Sequence, residues 1–250
     1  MKKITFCTAL LAVAGLVNTV YGQGSSPATA AASPAAAAAP AKRAEVYSVT
    51  FIHAAAGKAS ALEDWGKKSG AGSTTAGHQL VLRHEAGSPW DYVAISHVGP
   101  KATVEASGNP QGVSLRPLMD WHDDTFVNGP AWAEFAKAMD LDETSGKPKS
   151  NDSVYVVSVY RPHNGQEDAL DKFLNEPPPA GDLTAGNIVL QHLEGGAWRF
   201  CGISRYKNYQ DYATSEAKSV AAAGKSGSTW MQLRDLCSFH NDTIAVNLTP

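Results

Sequence analysis

Cysteine is scarce in this sequence: three occur in 250 residues, at positions 7, 201 and 237. That excludes a disulfide-stapled scaffold and a multi-cysteine metal centre. Basic clusters are missing as well. Lysine and arginine total 21 against 24 aspartates and glutamates. Without a positive run or stripe, neither nucleic acid nor an anionic membrane surface is expected as a partner. No Gly-rich phosphate loop, nucleophile elbow or His-Glu-x-x-His run is present, which disfavours nucleotide-binding and hydrolase classes. Long apolar stretches are confined to the N-terminus.

What is there begins with that stretch. Lys2 and Lys3 precede an apolar run from Ile4 to Val20, and Val20-Tyr21-Gly22 supplies a cleavage-type ending. Residues 1–22 therefore read as a secretory signal. Thr8, Gly15, Asn18 and Thr19 break the run too often for a membrane span. Cleavage would leave 19 basic against 24 acidic residues, a charge of −5, and Cys201 and Cys237 alone. The expected product is periplasmic or secreted, with no membrane attachment once the signal is removed. Residues 23–44 are rich in Ala, Pro, Ser and Gly; Pro27, Pro34 and Pro40 interrupt any alanine helix. The stretch reads as a flexible tether.

The remaining chain matches itself. At an offset of 108 residues, Val46-Tyr47-Ser48-Val49 falls on Val154-Tyr155-Val156-Val157, and Gly57 falls on Gly165. The same offset sets Val81-Leu82-Arg83-His84 on Val189-Leu190-Gln191-His192 and Trp90 on Trp198. At an offset of 118, Leu115-Arg116-Pro117-Leu118 meets Leu233-Arg234-Asp235-Leu236, and His122-Asp123-Asp124-Thr125 meets His240-Asn241-Asp242-Thr243. Two diverged copies are expected, over residues 45–130 and 153–250, with an extra helix and linker over 131–152.

Each copy predicts the same elements. Val46 to Ile52 is a strand by its β-branched and aromatic content. Gly57 breaks the chain before a helix carrying Ala61, Leu62 and Trp65. Gln79 to Glu85 and Trp90 to His97 form a hairpin around Ala86-Gly87-Ser88-Pro89. Leu115, Leu118, Met119 and His122 share helical spacing, which predicts a second helix ending just before a strand that starts at Thr125. The order is β-α-β-β-α-β, an α+β fold of ferredoxin-like type.

This order, with the glycine before the first helix and the His-x-Asp-Thr entry to the last strand, resembles the dimeric α/β-barrel superfamily. That group includes antibiotic-biosynthesis monooxygenase-like proteins, stress-responsive barrel proteins and chlorite dismutases. The resemblance covers residues 46–128 and 154–248. It implies that two ferredoxin-like units pair their sheets into a barrel, here within one chain. Such pairing would bury the sheet faces that carry Tyr47, Val49 and Phe51, and Tyr155, Val157 and Val159.

Two histidine pairs recur. His84 and His192 share strand faces with leucines, so each either lines a pocket as proton acceptor or ligand, or is a strand-end histidine bonded to backbone or water. His122 and His240 are expected in the last helical turn, where the helix dipole favours them. With Asp124 and Asp242 they could instead form His–Asp pairs for acid–base work. His53, His78, His97 and His163 have no counterpart and are taken as surface residues.

Trp90 and Trp198 either wall a cavity or pack the core. Arg116 and Arg234 could hold an anionic group or pair with a surface carboxylate. No spacing calls for a metal, and none is expected. Haem, which some barrel relatives use, could take His84 or His192, but no signature supports it, and no cofactor is expected. Cys201 and Cys237 replace Val93 and Met119 of the first copy, which suggests buried thiols on strand three and helix two; a disulfide across the core is the alternative.

The expected function is binding of a small, largely apolar molecule between sheet and helices. Its pocket would be lined by His84, Trp90 and His122, or by His192, Trp198 and His240. A cofactor-independent oxygenase with a histidine base and a structural interaction module are the two alternatives. The oligomeric state is open.

Overall fold

The structure, a computed structural model, describes residues 43–68, 75–102, 116–193 and 197–248. The predicted signal and most of the predicted tether lie outside these residues. Alternation at Tyr47, Val49 and Phe51 gives strand β1 (Glu45–Ala54), since β-branched and aromatic side chains fit a pleated surface covered on both sides. Seven more strands follow: β2 (Gln79–Ala86), β3 (Tyr92–Pro100), β4 (Met119–Gly129), β5 (Val154–Pro162), β6 (Gly186–His192), β7 (Phe200–Tyr206) and β8 (Cys237–Asn247). The described residues also hold five helices: α1 (Ala59–Lys68), α2 (Trp132–Met139), α3 (Glu167–Leu174), α4 (Tyr209–Ala223) and α5 (Thr229–Leu236).

The strands pair antiparallel in the order β1-β3-β2-β8-β5-β7-β6-β4, and β4 returns to β1, so one α+β sheet closes into a ring. The ring holds two sets of four, β4-β1-β3-β2 and β8-β5-β7-β6. Two seams join them. At one, His84 of β2 faces Ala245 of β8; at the other, His192 of β6 faces Val127 of β4. Closure removes the sheet edges that would otherwise invite aggregation.

The inner face is apolar. Tyr47, Val49, Phe51, Tyr155 and Val157 belong to one buried cluster, with Val159 packed against it. Outside the ring, α1 sets Leu62 over Ile52 and Val81. On the other set, Leu170 and Phe173 of α3 and Leu233 and Leu236 of α5 cover Val189 and Phe200. Gly57 and Gly165 take φ of 72° and 79° just before α1 and α3. Only glycine adopts that left-handed turn without a steric penalty.

Helix α2, expected as an extra helix between the two copies, closes one end of the ring. Trp132, Phe135, Ala136 and Met139 recur at i, i+3, i+4 and i+7, and all four join the inner cluster. Tyr47 donates to Pro130 O at 2.8 Å and Tyr155 to Met139 O at 3.1 Å, one matched tyrosine at each end of the helix. Burial, then Glu45 and Glu134, drives the Tyr47 phenol far above its usual range, so it stays a donor.

Two expectations need correction. The second helix of the first copy does not run to His122: Arg116–Leu118 is a single 3₁₀ turn, and Met119 already belongs to β4. His122, Asp124, His240 and Asp242 are all strand residues. The ladder explains why. β1 offers partners from Glu45 to Ala54, and β4 uses them all, down to Met119 opposite Ala54. That pairing outweighs a helical spacing of four residues. Residues 103–115 lie outside the described set. Cys201 and Cys237, the cysteines among the described residues, are both free and buried. Cys201 lies in the inner cluster, whereas Cys237 opens β8 in the outer one.

Candidate functional site

The recurring residues divide between the two faces of the sheet, so the two linings expected above do not form. His84, Trp90, His192 and Trp198 belong to the ring interior, at the end away from α2. Phe51 bridges them, 5.5 Å from Trp90 and 6.3 Å from Trp198 between ring centroids. His84 lies 5.7 Å from Trp90, and His192 lies 4.8 Å from Trp198, edge to face. His192 Nε2 also meets Thr125 Oγ1 across the β4–β6 seam.

The matching contact at the other seam is lost. Thr243 donates to Ser88 Oγ at 2.7 Å instead, and the buried Nε2 of His84 has no hydrogen-bond partner. Gly87 allows this: its φ is 127°, and a Cβ there would lie 2.5 Å from Asp242 O.

His122 and His240 face outward. His122 Nδ1 is 2.6 Å from Asp124, but its side chain is 40 % exposed, so the pair is a solvated surface contact. His240 occupies the matching place with its side chain only 10 % exposed and Asp242 at 3.7 Å from Nε2. Its ring stacks on Tyr160 at 6.3 Å and meets the edge of Trp230 at 5.2 Å. The buried Nδ1 has no hydrogen-bond partner. Arg234 lies over the Trp230 ring at 5.7 Å; the Arg116 side chain is outside the described residues.

Tyr160 forms a wall of a groove on the outer face of β5, β6 and β7. The groove has a volume of about 300 Å³, at the lower end of small-molecule sites. Its apolar surface comes from Phe173, Leu174, Val189 and Pro177 to Pro179, its polar surface from Glu176, Asp182, Thr184, Asn187, Ser204 and Gln232. Gly202 makes the space: a Cβ there would sit 3.3 Å from the Tyr160 ring. Burial, with Asp242 next, raises the Tyr160 phenol, which keeps it neutral.

The groove is hard to see in the sequence because the 108-residue offset sets Ile52 and Ala94 against Tyr160 and Gly202, so neither residue repeats and no motif marks them. A tyrosine in a strand whose next-but-one pairing partner is glycine was the available signal.

His97 is also missing from the expected set. It was taken as a surface residue, yet it is buried. Its Nε2 lies 2.6 Å from Glu45, and its Nδ1 lies 3.2 Å from His78 Nδ1. Glu45 in turn accepts from Trp132 N at 3.0 Å, so this chain of polar groups anchors α2 rather than a ligand. Among the described residues no three His, Cys, Asp or Glu side chains are grouped to hold a metal.

No family model and no curated protein matches the sequence. Solved structures do match in fold. A candidate monooxygenase of Fusobacterium nucleatum has a TM-score of 0.50 at 9 % identity, over 82 % of this chain and 93 % of that one. A candidate monooxygenase of Lactobacillus acidophilus has a TM-score of 0.49 at 11 % identity, over 82 % and 95 %. An anthrone oxidase-like protein has 0.46 at 11 %, over 83 % and 94 %. At these identities the likeness is one of fold alone.

Proposed function

We propose that the chain is an exported α/β-barrel enzyme, built from two diverged ferredoxin-like units, that oxygenates a small aromatic molecule without a cofactor. The working site is the groove of the second unit, with His240 as base. The observation that carries this is the buried His240 ring: one nitrogen is unpartnered, the other faces Asp242, and the ring face lies on a tyrosine that walls the groove.

The chemistry asks little of the protein. His240 stands behind the Tyr160 wall and does not itself line the groove; with the Tyr160 ring turned aside it takes a proton from an activated methylene of the substrate, and Asp242 stabilises the imidazolium. The carbanion adds to dioxygen, and the imidazolium returns its proton to give a hydroperoxide. Loss of water from that hydroperoxide leaves a ketone, so one oxygen atom enters the product and the other leaves as water. Tyr160, held neutral, can donate to the developing oxyanion. At 3.7 Å from His240 Nε2, Asp242 is close enough to attract the imidazolium as it forms.

Oxygen uptake with anthrone as the probe tests this. His240→Ala should lower the rate by about 10²–10⁴-fold, whereas His122→Ala, at the exposed counterpart, should leave it within about twofold. An unchanged rate in His240→Ala, or no uptake by the wild type, would overturn the proposal. Binding of a small apolar molecule without turnover is the second reading, favoured by the apolar groove wall alone.

A further inference from the structure

We infer that the groove selects a substrate bearing a positive charge: an aromatic amine, not a carboxylate, sulfonate or phosphate. This rests on the groove being the working site and adds the charge of its occupant. Among the described residues, the ionisable ones that line it besides Tyr160 are Glu176 and Asp182, both carboxylates, with no lysine or arginine. One Asp182 oxygen accepts from Thr184 N at 2.6 Å, which fixes the side chain. Asp242 adds a third negative charge behind Tyr160.

Of two cations near the rim, one is neutralised: Arg43 donates to both oxygens of Asp171, at 2.9 and 2.6 Å, and to Val189 O at 2.8 Å. Lys218 donates to Gly181 O at 2.7 Å, a neutral carbonyl, so its charge stays beside Asp182. The first turn of α5 also faces the groove through Thr229 and Gln232. A helix N-terminus carries about half a positive charge, and Ser228 accepts one of its N–H groups. Glu176 and Asp182, with Asp242 behind Tyr160, outweigh Lys218 and the helix terminus together.

The geometry then orders a ligand. A flat body lies on Phe173, Leu174 and the prolines, its ammonium meets Glu176 and Asp182, and the opposite end meets Tyr160, which lies against His240. Each half-screened carboxylate is worth a factor of about three in affinity, so the pair gives about tenfold.

Three naphthalene probes of nearly equal shape test this by calorimetry on the mature chain at pH 7: 1-naphthylmethylamine, 1-naphthalenemethanol and 1-naphthoate. The amine should bind about tenfold tighter than the alcohol and the carboxylate weakest. The double variant E176Q/D182N should cut the amine's advantage over the alcohol to under about threefold. Raising the salt should do the same to the wild type, since exposed charges are screened. Equal binding of amine and alcohol, or tighter binding of the carboxylate, overturns the charge inference and leaves the groove as a site. Binding by none of the three overturns the groove reading with it.

Discussion

Phe135→Ala is the sharpest test of the inner architecture, because it asks whether α2 is a linker or part of the core. Phe135 is fully buried in the cluster that fills the ring. Its ring stacks on Tyr47 at 5.2 Å and on Trp132 at 5.5 Å. Truncating a buried phenylalanine costs about 3–5 kcal/mol, and both aromatic contacts push towards the upper part of that range. A loss of about 4 kcal/mol is expected. For a chain of this size that lowers Tm by about 8–16 °C. Urea unfolding followed by tryptophan fluorescence gives the free energy directly, provided the m-value is unchanged. Val220→Ala is the control: Val220 is 65 % exposed on α4 and should move stability by no more than about 0.5 kcal/mol. A loss under about 1.5 kcal/mol for Phe135→Ala would mean that α2 only leans on the ring, and the reasoning would fail.

Other consequences can be read out separately. Gly87→Ala should cost about 2–3 kcal/mol in the same assay, because φ of 127° and the approach to Asp242 O both reject a Cβ; a neutral result would refute the seam contact. The His78 pKa is lowered from 6.5, by burial first and by His97 second, while Glu143 and Glu45 oppose the shift. The unfolded chain therefore binds the proton more readily, so stability should fall as pH drops below about 6.5. His78→Gln should flatten that slope, as measured by urea midpoints between pH 5 and 7.5. The Cys201 thiol is pushed up to about 12 by burial, and that of Cys237 is raised by burial too. Both should resist a thiol-specific chromogenic reagent at pH 8 until denaturant is added, and rapid labelling of the native protein would contradict their placement.

The strands were legible where packing on both faces wrote an alternating pattern. Val46 to Ile52 and its counterpart at Val154 needed no tertiary information. The glycines before α1 and α3 were legible for a similar reason, since a positive φ leaves few substitutes. His122 and Asp124 were misplaced because a local spacing of Leu115, Leu118, Met119 and His122 mimics a helix, while the ladder that overrides it lies on β1, far away in sequence. The same blindness to pairing put His84 and His122 on one lining. Strand face depends on register, and a shift of one residue reverses it. His97 looked solitary, because its partners Glu45, His78 and Trp132 come from three separate segments.

Why the second set of four strands leaves room for a groove at this place follows from a few positions. Val81 O of the first set accepts Leu248 N at 2.9 Å, and Leu248 packs with Leu62 and Val81 into the outer layer. The matching carbonyl, Val189 O, is taken by the Arg43 side chain, which lies over Phe200 at 5.7 Å and is held by Asp171. A guanidinium tied to a carboxylate covers the rim but leaves the space behind it unfilled. There Gly202 withdraws a methyl where Ala94 keeps one, and Tyr160 presents a hydroxyl where Ile52 presents only carbon. His122 and His240 mark the outcome, as the same dipeptide spacing to aspartate is solvated on one side and sheltered by Trp230 on the other. On a duplicated origin, filling one groove would let the first unit serve as scaffold and free the second to keep polar groups in a sheltered place. The restorative direction is then closed by packing: a tyrosine at position 52 would have to displace Leu62 or Leu248 from a filled layer, and an overpacked layer destabilises by about 1–3 kcal/mol.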